Sequence, residues 1–227
     1  LSLCVVLLFS AIGQTQDFHY SQFSNAPLQL NPGLTGVFAG DTRVAASYRS
    51  QWNQVPVAYK TFTATADHKY TCGRPGPGFF ASGIAVNYDQ AGVSRLSMAQ
   101  VGLYGSYTYP LNDQAFLTGG LTFGLGQRAF DTDDLRFDRQ FDVLVGQFDA
   151  NLSNNEAFAN QSHIFMDAGV GINFRWQELQ SGALIDLLEE RSKLDVGIGI
   201  HHLNRPDMSF IEDEKVRLPI RWSPYAS

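Results

Sequence analysis

The densest group of reactive side chains is the run Asp131-Thr-Asp-Asp-Leu-Arg-Phe-Asp138, followed by Asp142 and Asp149. Carboxylates at this density suit a hard cation such as calcium, which prefers oxygen ligands presented by a loop. The run lacks the Gly at the sixth position and the Glu at the twelfth that an EF-type loop uses, so a solvated loop is the better reading. Paired carboxylates also serve glycoside hydrolysis, but that chemistry needs a set separation, which the spacing does not supply. His201 and His202 are neighbours, and neighbours on a strand point to opposite faces. Regular geometry therefore keeps them from gripping one zinc; His201 is expected on a wet face and His202 at an interface. Gly169-Val-Gly171 and Gly197-Ile-Gly199 sit inside strand patterns rather than at strand-to-helix turns, which removes them as phosphate loops. Their expected role is to leave room or to permit bending. No Gly-x-Ser-x-Gly occurs, and Cys72 has no evident catalytic partner. The expectation is a protein that is not an enzyme, with no catalytic, cofactor-binding or metal residues.

The elements that hold these groups are read from a period of two. Ile164, Met166, Ala168, Val170, Ile172, Phe174 and Trp176 form an unbroken apolar row, while Asp167, Gly169, Gly171, Asn173 and Arg175 between them are small or polar. Such alternation marks a strand with one apolar and one wet face. Strands are expected at Arg43–Arg49, Ala58–His68, Phe79–Tyr88, Leu96–Tyr109, Ala115–Arg128, His163–Trp176 and Lys193–His202. Their lengths approach or exceed the ~9–11 residues of a tilted membrane strand. Lys215–Trp222 starts like another strand but carries Pro219. The fold class expected is all-β, an antiparallel transmembrane barrel of outer-membrane type, incomplete in this chain. Arg128, Asp167, Asn173, Arg175, Asp195 and His201 belong to the wet rows, where they either pair into an interior network or line a channel. On this reading Val170→Arg, in the lipid-facing row, is damaging and Gly169→Ser, in the wet row, is mild.

Composition agrees with that class. Charged residues are 17% of the 227-residue chain, and there are 21 Gly, 17 Phe, 9 Tyr and 3 Trp. An ordinary soluble domain holds about 25% charged residues. A net charge of −6 offers no basic footing for nucleic acid. The apolar start, Leu1-Ser-Leu-Cys-Val-Val-Leu-Leu-Phe9, falls short of the ~20 residues of a spanning helix. With small residues at Ser10, Ala11 and Gly13 it reads as a signal-peptide remnant over residues 1–13. Cys4 lies within it, which leaves Cys72 without a disulfide partner. Residues 14–40 form an extended segment that plugs the barrel, docks a partner or serves as a tether. Residues 41–227 form the partial barrel, with a long loop at 131–162. Aromatics gather toward strand ends, as paired interfacial girdles would require.

The segment Asp17-Phe-His-Tyr-Ser-Gln-Phe-Ser-Asn-Ala-Pro-Leu-Gln-Leu-Asn-Pro-Gly33 resembles the opening of the PorP/SprF family. So do Tyr48-Arg-Ser-Gln-Trp52, Tyr59-Lys-Thr61, Gly83-Ile-Ala-Val-Asn-Tyr-Asp89, Tyr104-Gly-Ser-Tyr-Thr-Tyr-Pro-Leu111 and Gly199-Ile-His-His-Leu-Asn-Arg-Pro206, in the same order. The chain departs from the family in its absent C-terminal part and in a polar insertion around 151–161. The resemblance implies a bacterial outer-membrane protein, in contact with lipid, that works with type IX secretion proteins and with secreted cargo such as adhesins. Tyr20, Phe23, Pro27, Asn31 and Pro32 are then the candidate partner-binding residues. A solute porin and a secreted, lipocalin-like β-barrel are the competing readings of the alternation.

Overall fold

The computed structural model describes residues 26–52, 59–70, 77–92, 94–131, 135, 137–142, 146–149, 152, 161–178, 192–210 and 216–227. Eight strands form one antiparallel sheet, ordered β1 (Thr42–Gln51), β2 (Tyr59–Tyr70), β3 (Phe79–Ala91), β4 (Leu96–Pro110), β5 (Ala115–Ala129), β8 (Ser162–Gln177), β9 (Lys193–His201) and β10 (Arg221–Ala226). Sequential neighbours pair throughout, and the sheet curls into a half-barrel. A separate two-stranded sheet, β6 (Phe141–Asp142) with β7 (Gln147–Phe148), lies within the long connection between β5 and β8. The first seven strands of the main sheet coincide with the alternating segments of the sequence to within a few residues. No helix among the described residues is long and apolar enough to cross a membrane, which says nothing against crossing by strands.

The eighth strand departs from expectation. It begins at Arg221, after Pro219, and continues through Pro224. Ser227 and Asp195 exchange both backbone hydrogen bonds at 2.9 Å, so odd-numbered residues of β10 bond to β9. Pro224 is therefore a position that aims away from β9, where a missing N–H breaks no ladder.

Burial is inverted relative to a water-soluble domain. Val44, Leu121 and Ile164 are 75%, 61% and 70% exposed on the convex side. Asp67, Asn87, Asp167, Asn173 and Asp195 are buried on the concave side. Two small apolar clusters supplement them there: Leu28 with Ala85 and Tyr104, and Phe165 with Met208, Leu218 and the half-buried Met98. Aromatic side chains fall in register across strands. Tyr48, Phe62 and Tyr88 align on β1, β2 and β3, toward the far rim where β1 ends. Tyr70, Phe80 and Tyr107 align on β2, β3 and β4, toward the near rim where β1 begins.

Candidate interior site

The concave face is built to receive the chain's own residues 26–37. Pro27–Leu30 forms one helical turn and Pro32–Leu34 a 3-10 turn, with Asn31 extended between them at φ −155°. Proline suits both first-turn positions because its fixed φ fits and its missing N–H is not needed there. The Asn31 side chain accepts from Gly33 N–H at 2.8 Å, a local bond that fixes the second turn. This segment lies across Gly120, Gly171 and Gly199, which face one another in register on β5, β8 and β9. A Cβ at Gly120 would strike the Pro32 carbonyl, one at Gly171 the Asn31 side chain, and one at Gly199 the Leu30 carbonyl. The glycine row is therefore a trough that lets one backbone approach another.

Polar groups hold the segment in that trough. Asn31 Nδ2 donates to the Ile172 carbonyl at 3.0 Å and to Tyr225 Oη at 3.2 Å. Tyr225 O–H donates to Asn173 Oδ1 at 2.5 Å, and Asn173 Nδ2 donates to Asp195 Oδ1 at 3.2 Å. Arg175 grips Asp195 with two bonds, of 2.8 and 2.7 Å, and extends Nη2 to the Val37 carbonyl at 3.4 Å. The path leaves the inserted segment at Asn31 and returns to it at Val37. Arg43 and Asp67 repeat the arrangement on β1 and β2, with bonds of 2.9 and 2.7 Å. There Arg43 also reaches the Leu34 carbonyl at 3.2 Å, and Gly36 N–H donates to Asp67 at 2.9 Å. Lys69 Nζ donates to the Phe38 carbonyl and lies 4.5 Å from the Phe38 ring centroid. Paired, bidentate contacts of this kind fix geometry and leave few polar groups unsatisfied. Below the segment, Leu30, Leu34, Val37, Arg43, Arg175 and Tyr225 are among the walls of a half-open cavity of about 730 Å³.

Residues 202–210 and 216–220 pack on the same face nearer the far rim. Arg128 Nη1 donates to the Met208 carbonyl at 3.1 Å, and its guanidinium lies 5.2 Å from the Phe210 ring centroid. His163 Nε2 meets the Asp207 carbonyl at 3.0 Å, and the Asp207 backbone forms an isolated antiparallel β-bridge with Arg217. Phe165 lies over Gly126, where any Cβ would overlap its ring.

Of the wet-row residues chosen from the sequence, Asn173, Arg175 and Asp195 belong to one network with Asn31 and Tyr225. Asp167 accepts from Gln100 at 3.4 Å and lies 3.0 Å from His202 Nδ1. Arg128 contacts Met208 and Phe210, and His201 Nε2 lies 3.2 Å from the Leu30 carbonyl. The expectation for His202 fails. It is buried beside Asp167 because φ is +60° there, which breaks the alternation that would have turned its ring outward. The rings of His201 and His202 lie 6.4 Å apart. No group of three or more metal-ligating side chains occurs among the described residues. Gly169 also proves crowded: its Cβ would lie 2.9 Å from both the Ile200 carbonyl and Thr122 Cγ2, so Gly169→Ser is no mild change. Pro27 is half-buried, whereas Asn31 and Pro32 are buried against the sheet. Tyr20 and Phe23, the expected signal-peptide remnant at 1–13 and Cys72 lie outside the described residues, as does most of the expected insertion at 151–161. Sequence reasoning missed Arg43, Asp67 and Tyr225, although Arg43 and Asp67 are charged members of the polar rows on β1 and β2, with Arg49 and Lys69.

An apolar convex face over a polar, occupied concave face is the signature of a sheet that stands in lipid. Residues 12–226 match the family described as type IX secretion system membrane protein PorP/SprF. The chain belongs to that family. No curated protein and no solved structure matches it. The family match covers the inserted segment and the whole described sheet together, so the PorP/SprF relationship takes in the interior site as well as the wall.

Proposed function

We propose that this PorP/SprF protein is a non-enzymatic component of the bacterial outer membrane that aids secretion or surface attachment of cargo, adhesins included, by binding protein partners. The observation that carries the reading is the filling of the concave face by the chain's own residues. A solute porin needs an open, polar lumen, whereas here Asn31, Pro32 and Thr35 are buried in the middle of the sheet and Met208 and Leu218 toward the far rim. The aromatic rows support a membrane setting. From Phe80 to Tyr88 the strand advances roughly 26 Å, or about 20 Å across a bilayer after a tilt near 40°, close to the ~25 Å apolar band of outer-membrane barrels.

Residues 26–37 act as a plug on this reading, and Tyr20 and Phe23, just before it, remain the candidate anchors for a partner. Half-buried Pro27 belongs with them, while Asn31 and Pro32 secure the plug from within. The test is deletion in a native type IX host with complementation by the full-length chain. Cargo display is expected to fall on deletion and to return with the chain, and liposomes carrying the purified protein are expected to resist small-solute flux. Display unchanged by deletion, together with free flux, would favour the porin. Extraction from cells without detergent would favour the soluble barrel.

A further inference from the structure

β8 is longer than the strand that covers it. Its ladder with β9 runs from Gln177 opposite Lys193 to Val170 opposite Ile200, yet β8 extends to Ser162. At His202, where φ is +60°, the chain leaves the wall and turns inward to pack Met208 and Leu218 on Phe165. Residues just past that turn partly cover the edge. Leu203 N–H donates to the Ala168 carbonyl at 2.9 Å. Asn204 Oδ1 accepts from Ala168 N–H at 3.2 Å, and Asn204 Nδ2 donates to the Met166 carbonyl at 2.6 Å. Backbone direction repeats every second residue along a strand, so Ile164 turns its N–H and C=O to the same side. There it has no ladder partner among the described residues. On its other side β8 remains paired with β5 up to Ser162.

We propose that the 162–166 edge of β8 is a docking site for an extended strand of a protein partner, which joins the wall by backbone pairing. The edge itself specifies the occupant. Asn204 fills one rung with a carboxamide that both accepts and donates, as a peptide group does, so a peptide backbone is what the next rung fits. An uncovered edge is otherwise a liability that proteins shorten, charge or cover, and Ile164 and Met166 supply no charge here. Their side chains are 70% and 56% exposed on the apolar face, while Phe165 points inward over Met208 and Leu218. The matching strand therefore carries apolar residues at alternate positions on its outer side. Ile164 lies level with Gln127, Ala99 and Tyr88, at the far-rim aromatic row, within reach from outside the bilayer. The site rests on the secretion role above only for the origin of the partner.

The experiment uses the full-length protein in its native membrane with photoreactive benzoylphenylalanine at Ile164. The control carries the same residue at Ile172, which shares the face but is paired with Ile198. An adduct with a second, different polypeptide is expected at 164 and none at 172. Adducts with lipid alone, or with another copy of this chain, would overturn the proposal. Ile164→Pro removes an N–H aimed at the open side and no hydrogen bond to β5, so the barrel is expected to keep heat-modifiable migration. In that variant an adduct from a probe at Met166 is expected to vanish, and Ile164→Val is expected to retain it. Should the proline variant fail to fold, the adduct at 164 in the otherwise unaltered chain decides the matter. Adduct and cargo display both unchanged in a folded Ile164→Pro would sink the edge site and leave the secretion role standing. Display unchanged when the whole protein is deleted would remove the secretion role and leave the edge to the adduct.

Discussion

The two faces of the same strands differ more than any two strands do. On β5, Leu121, Phe123 and Leu125 stand exposed on the convex side, while Thr122, Gly124 and Gly126 between them are buried. On β8 the exposed Val170 and Ile172 alternate with buried Gly171 and Asn173. The convex row is chemically uniform and exposed. The concave row is specific: Gly120, Gly171, Gly199 and Asn173 meet the inserted segment or its hydrogen-bond partners, Gly126 and Phe165 meet each other beneath Met208 and Leu218, and Gly124 meets Gln100. A lipid face needs only apolar surface, whereas an occupied interior needs matched shapes and satisfied hydrogen bonds. The convex face should therefore tolerate any apolar exchange, and the concave face few exchanges of any kind.

The largest effect is expected where a buried charge loses its partner. Asp195→Ala strands Arg175, whose side chain is 18% exposed, and should cost roughly 3–5 kcal/mol. Denaturant titration in detergent micelles, beside the double variant Asp195→Ala/Arg175→Met, checks this, because the double change should recover most of the loss. Val170→Arg should follow at about 2 kcal/mol, the cost of a cation on the lipid face between the two aromatic rows. Its measure is the fraction of heat-modifiable barrel, and a variant as stable as the parent would mean that this row does not face lipid. Asn31→Ala removes the bonds to the Ile172 carbonyl, Tyr225 and Gly33 N–H, and about 1–3 kcal/mol is expected. Protease cleavage near residue 30 should rise in that variant while the sheet stays folded. Gly124→Ser is the mildest: its Cβ would meet the end of the Gln100 side chain at 3.3 Å and the Val101 carbonyl at 3.5 Å, so a loss of about 1 kcal/mol is expected. A loss above that of Asn31→Ala would show the concave face to be tighter at Gly124 than its geometry allows.

The wall was legible in the sequence because alternation reports strand and face at once. The first seven strands and the choice of polar face follow from rows such as Leu194, Val196 and Ile198 against Asp195, Gly197 and Gly199. The partners within the polar face were not legible, because pairing across it depends on register. Gly120, Gly171 and Gly199 are separate strand glycines until their strands are aligned, and only then form a trough. Arg43 and Asp67 likewise sit on strands whose alternation is blurred by Ala and Thr. His202 and Pro224 escaped for a local reason. One takes a left-handed φ that ends the alternation, and the other occupies the outward-facing side of a ladder, where the usual exclusion of proline does not apply.

The central claim is that lipid covers the convex face while the chain itself fills the concave one. Adjacent residues of β5 test both halves together, in a cysteine-free full-length chain reconstituted in liposomes. Leu121→Cys and Thr122→Cys are each exposed to a lipid-dissolved maleimide and to a charged, water-soluble one. Position 121 is expected to react with the lipid-dissolved reagent alone, and position 122 with neither until the protein is unfolded. Labelling of 122 by the charged reagent in the folded protein would mean an open lumen, and labelling of 121 by it would mean that this face stands in water.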